Sequence, residues 1–136
     1  MMDKKCVIVL DQDLPVWLLA NSSAVLALTL GKTVDGILGH DIQDGSGETH
    51  RGITNTVLPI LKTEKTNLTT IRERANSLDG VIVVDFSDVA QRTKIYEDYA
   101  AQLQATKSED LRYLGIALYG DKQAINSLTG SLALLR

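Results

Sequence analysis

The chain has 136 residues, enough for one domain and too few for two with separate cores. Its 44% hydrophobic and 23% charged residues are those of a packed globular protein, which excludes a disordered chain. A net charge of -3 argues against nucleic acid as a partner, because such affinity rests on Lys and Arg neutralising phosphates. The single cysteine, Cys6, has no intramolecular disulfide partner and fits a reducing, cytoplasmic compartment.

Residues 6–10, Cys-Val-Ile-Val-Leu, form a short β-branched apolar run that reads as a strand buried on both faces. The run is too short for a signal peptide and ends at Asp11. Asp13 offers an N-cap and Pro15 suits a first helical turn, so a helix is predicted over about 14–30, stopping at Gly31. Residues 14–31 carry no charge, yet Asn21-Ser22-Ser23 at the centre marks a buried helix and not a membrane span. Its apolar residues, among them Val16, Trp17, Ala20 and Ala24, occupy nearly every face, so one sheet cannot cover them all. A homodimer through this helix is one solution, and a fold-back of residues 36–52 is the other.

Those residues hold five glycines and both histidines, and Asp44-Gly45-Ser46-Gly47 predicts a hairpin with its tip near Gly45-Ser46. Residues 56–62 predict a strand that Pro59 confines to an edge or a bulge. Asn67 is expected to cap a helix to about Leu78, and residues 81–86 form another buried strand. Ser87 or Asp88 is expected to cap a long polar helix reaching about Ala105. Residues 113–118 are a strand, Asp121 caps a short helix ending at Gly130, and residues 131–135 close the chain as a strand. The alternation predicts one α/β domain over 1–136, a three-layer α/β/α sandwich with a mixed sheet.

The order of the later elements resembles the type II peptidyl-tRNA hydrolases. A strand and a helix lead to a strand ending in Asp85. Leu114-Gly115-Ile116-Ala117 follows, and the chain closes on Leu128-Thr129-Gly130-Ser131-Leu132-Ala133-Leu134. More closely, Leu14-Pro15 with Trp17 and Asn21 after the first strand resembles an uncharacterised bacterial family of that superfamily. The resemblance implies a peptidyl-tRNA hydrolase II-like fold, a homodimer and a functional Asp85. In the hydrolases a glycine-rich element with a functional lysine opens the first helix. Ala20 or Asn21 takes the lysine's place here, and Phe86-Ser87-Asp88 follows the aspartate in place of Gly-Arg-Thr-Gln. Losing the cation removes a group suited to an anionic transition state, so peptidyl-tRNA hydrolysis is not expected.

Asp85 ends a buried strand, where open α/β sheets place ligands, and Asp88 lies about one helix turn further on. Two such carboxylates can divide acid and base roles, or simply close a strand and cap a helix. Asn21, isolated in an apolar helix, is a third catalytic candidate if it points across the strand ends toward Asp85, and otherwise needs a structural hydrogen-bond partner. Ser87 and His50 are candidates for binding a ligand. If Gln43 pairs with Glu48 across the hairpin, Asp41 faces His50, but neither His40 nor His50 has a metal-ligand spacing. No metal or cofactor is expected. The favoured reading is a protein that binds an unidentified small molecule. The alternative is a hydrolase of an ester or amide that uses Asp85 and Asn21.

Overall fold

A computed structural model describes residues 3–136. Its sheet is built on β1 (Lys4–Asp11), whose side chains from Cys6 onward are all buried. Along one side of β1 runs β4 (Ile60–Thr63), parallel to it, and along the other runs β6 (Tyr113–Asp121), antiparallel. β5 (Ile82–Ser87) and β7 (Ala133–Leu134) complete the order β5-β6-β1-β4-β7, a mixed five-stranded sheet. A separate two-stranded ribbon, β2 (Ile42–Gln43) and β3 (Thr49–His50), stands on its own.

Helices cover both faces. α1 (Val16–Thr33) buries Leu18, Ser22, Leu26 and Leu30 against Ile8, Leu10, Val84, Phe86, Leu114 and Ala117. α2 (Lys65–Asn76) and α5 (Lys122–Thr129) cover the other face, closing Val7, Val9, Ile116 and Leu118 over with Leu68, Ile71 and Ile125. The alternation along β1 is what divides its even and odd residues between these two cores. α3 (Asp88–Arg92) and α4 (Tyr96–Gln104) follow β5. No described helix is long and apolar enough to cross a membrane.

Several expectations need correction. α1 starts after Pro15 and runs through Gly31, and Asp13 caps nothing: its own N–H donates to the Asp11 carboxylate. Pro59 precedes β4 and offers its carbonyl to Ile8, so it leaves the ladder intact and β4 lies inside the sheet between β1 and β7. Asn67 sits within the first turn of α2 and donates to Thr63, while Glu64 stands at the cap. The long helix expected over 87–105 is broken at residues 93–95, where the Thr93 hydroxyl bonds back to the Val89 and Ala90 carbonyls. The Asp121 carboxylate takes Lys4 at 2.8 Å and leaves α5 without a side-chain cap.

The hairpin register is also shifted by one: Gln43 pairs with Thr49 and Ile42 with His50. The cause is a three-residue tip, Gly45-Ser46-Gly47, with Gly47 left-handed at φ 84°, a known hairpin closure. Asp44 locks that tip by accepting from the N–H groups of Ser46 and Glu48 and from His50. Further down, Gly39 and Gly52 cross so closely that a Cβ on Gly52 would lie 1.8 Å from the Gly39 carbonyl oxygen. The arm does not fold back over α1. Val16, Trp17 and Leu28 remain 81%, 61% and 80% exposed.

Candidate functional site at the strand ends

The chain leaves the neighbouring parallel strands β1 and β4 toward opposite faces, to α1 and to α2. A crevice therefore opens outside their carboxyl ends, the place where open α/β sheets hold ligands. Asp11 and Thr63 face each other there in the ladder. Asp11 is completely buried, and burying a carboxylate is costly unless it is paired and hydrogen-bonded. It takes the Asp13 N–H at 3.0 Å and the Arg112 Nη2 at 3.1 Å. Thr63, also buried, accepts from Asn67 at 2.8 Å.

Arg112 is held from two directions. Asp11 grips its guanidinium, and Asp88 grips its backbone: the Asp88 N–H donates to the Arg112 carbonyl at 2.9 Å, and the Arg112 N–H donates to Asp88 Oδ1 at 3.3 Å. A bulge sets the angle of approach, since Phe86 pairs with Gly115 and Ser87 with Tyr113, leaving Leu114 extra. Bulges re-aim side chains in this way. It turns Leu114 into the α1 core and Tyr113 into the α2 core. About half of the Arg112 side chain stays accessible. It borders a cleft of about 270 Å³ with Lys65, Thr66, Thr69, Leu111 and Tyr113. Lys65 is the first residue of α2, whose amino end has no side-chain cap. Two cations, Lys65 and Arg112, thus border one small cleft beside the amino end of α2, an arrangement that attracts anions.

The sequence candidates fall as follows. Asp85 points to the α2 face and is ion-paired with Arg72 at 2.9 Å, and that guanidinium lies 4.4 Å above the Tyr113 ring. Asp85 also borders a cleft of about 430 Å³ with Val25 and Thr29 of α1 and Tyr96 and Tyr99 of α4, and Asn21, exposed on α1, is not part of that lining. Asp88 belongs to the crevice but acts on the Arg112 backbone, and also takes Arg92 at 3.3 Å. Ser87 is buried as the N-cap of α3. His50 lies on the exposed arm, 2.8 Å from Asp44, whose carboxyl that bond holds below the ordinary aspartate range. Asp41 accepts from the Gly52 N–H and does not meet His50. Asp11, Arg112 and Lys65 went unread in the sequence, although Asp11 ends β1 just as Asp85 lies near the end of β5.

A cleft of about 580 Å³ lies at the opposite end of the sheet, lined by Lys4, Lys5 and Lys122 with Asn55, Thr56, Val57 and Pro59. Two of its lysines are already engaged, Lys4 with Asp121 and Lys5 with Asn126 at 2.6 Å.

A family model described as protein of unknown function DUF2000 matches residues 4–136. The chain belongs to that family. A solved structure of a protein of unknown function, Atu0240 from Agrobacterium tumefaciens strain C58, is similar over 98% of both chains. Its TM-score is 0.89 at 21% identity, which shows a shared fold and carries no activity with it. No curated protein matches. The DUF2000 match spans the crevice, the arm and both faces of the sheet.

Proposed function

We propose that this DUF2000 member binds a small anionic molecule, a carboxylate or a phosphate ester, in the strand-end crevice. The observation that carries the reading is Arg112, fixed at its backbone by Asp88 and at its guanidinium by the buried Asp11, with its free side bordering a cleft beside Lys65. Planar, pre-oriented guanidinium groups suit bidentate contact with such anions. The cleft, at about 270 Å³, suits a headgroup or a compact metabolite. We further read the scaffold as peptidyl-tRNA hydrolase II-like, without that family's hydrolase activity and in a cytoplasmic setting. The neutral residues at the lysine's position and the exposure of Ala20 and Asn21 on α1 support the absence of hydrolysis. The ion pair of Asp85 with Arg72, and the absence of Asn21 from the cleft that Asp85 borders, weigh against an ester or amide hydrolase built on that pair.

Amide NMR titrations with inorganic phosphate, a phosphate monoester and a monocarboxylate test the reading. Resonances of Lys65, Thr66, Thr69 and Tyr113 should shift together. Lys65→Ala should weaken binding about tenfold, as loss of one charge-assisted contact predicts. No shift with any of the three anions at about 10 mM, well above a millimolar dissociation constant, refutes it.

A further inference from the structure

We infer that the outward face of α1 is a self-association surface, and that a second copy of this chain packs on it antiparallel about a two-fold axis. The inference is independent of the anion site, which lies at the strand ends toward the α2 face.

The face is large and apolar. Val16, Trp17, Val25 and Leu28 are 81%, 61%, 36% and 80% exposed. Trp17 and Leu28 lie along the middle of this outward side with Val16 and Val25 on its two flanks, and together they leave roughly 500 Å² of apolar surface open around it, more than the few hundred Å² usual for a soluble monomer. With the exposed Ala20, Asn21 and Ala24 between them, the face approaches the roughly 800 Å² per partner of a stable interface. The chain's own arm leaves it uncovered.

Two features choose a second copy over a foreign protein. First, the face carries no charge between residues 14 and 31, and charges are what steer and select an unlike partner. Second, the centre of the face reads nearly the same in both directions. Reversed about a point between Ser22 and Ser23, Trp17 falls opposite Leu28, Ala20 opposite Val25 and Asn21 opposite Ala24, while Val16 at the margin falls opposite Thr29. Bulky groups at the ends then cover bulky groups, and small ones at the centre let the helices approach closely. Asn21 is the exposed polar group near the axis. An amide both donates and accepts, so two copies of Asn21 satisfy each other, as an isologous contact requires.

The test is sedimentation equilibrium of the full chain from low to high micromolar concentration, read alongside the fluorescence of Trp17, the one tryptophan in the sequence. The mass should rise from 14.8 kDa to twice that, and the emission should move to shorter wavelength with the same midpoint. Leu28→Glu, at a site already 80% exposed, should keep the fold by circular dichroism and raise the dissociation constant at least about 30-fold, the scale of an interface hot spot. Trp17→Glu should do the same in the mass measurement. A mass of 14.8 kDa at every concentration overturns the inference. So does a dimer that survives both substitutions, because it must then use another face.

Discussion

Exchanging Arg112 for Gln tests whether the pair at the strand ends holds the site together. In the native chain Asp11 is fully buried, and of its two hydrogen-bond partners the Asp13 N–H contributes no charge. Arg112→Gln leaves that carboxylate without a cation. Stripping the partner from a fully buried pair costs about 3–5 kcal/mol. Arg112 is 49% accessible, so water and screening recover part of this, and about 2 kcal/mol is expected. Asp11→Asn keeps the shape and one acceptor but turns amide hydrogens toward a guanidinium, and should cost about 1–2 kcal/mol, the scale of one charge-assisted hydrogen bond. The double variant should then be less damaged than the two single costs added, with a coupling of about 1 kcal/mol. Urea denaturation of the four proteins measures all these quantities. If each single variant lies within about 0.5 kcal/mol of wild type, as at ordinary surface sites, Arg112 is not clamped and the site argument loses its basis.

Other outcomes follow from single groups. The Ser22 hydroxyl is buried and finds no hydrogen-bond partner among the described residues, so Ser22→Ala should stabilise the fold by about 1–2 kcal/mol and raise the melting temperature by several degrees. Burial pushes the Cys6 thiol up to about 11 from 9.0. The folded form therefore disfavours the thiolate: stability from this group is intact below pH 9 and falls between pH 9 and 11, and native Cys6 should resist alkylation at pH 8 until urea is added. The His50 contact, with the Ser46 and Glu48 N–H groups, lowers the Asp44 carboxyl below 3.8, so the order it lends the arm tip is present above pH 3.8 and fades as pH drops further. Amide exchange at Ser46 and Glu48 should accelerate in that acid range. Gly52→Ala should open the arm and expose amides 41–51 to exchange, while the global melting temperature barely moves, because the ribbon bonds mainly to itself.

The regular elements were legible where hydrophobic period alone decides them. Residues 6–10, 81–86 and 113–118 read as strands because both of their faces are apolar, and the sheet buries or half-buries nearly all of them. The break in 87–105 was not legible, because neither Gly nor Pro marks it and a threonine hydroxyl ends the helix. The arm's existence could be read from its glycines, but its register depended on the left-handed Gly47. The crevice was legible in kind and not in membership. Strand ends were the expected place, yet Asp11 and Arg112 stand 101 residues apart and meet only because β6 lies beside β1. No local pattern encodes strand order. Asp85 stood out in the sequence, and Arg72, which takes it up, could not be paired with it before α2 was laid on the sheet.

The two borders of the sheet are unequal, and that gives Asp85 another meaning. β7 is two residues long and offers little for another strand to copy. β5 is six residues long and forms the other border, with Val81-Ile82-Val83-Val84 running into Phe86. A long apolar edge of this kind recruits strands from neighbouring molecules. Asp85 is the single charge in that run, and Arg72 holds it in place. A single charge inside an apolar edge run is the kind of residue that interrupts cross-β stacking. A chain carrying Asp85→Val is expected to keep its fold, by circular dichroism, and to form fibrils, by thioflavin fluorescence, in which β5 edges add to one another.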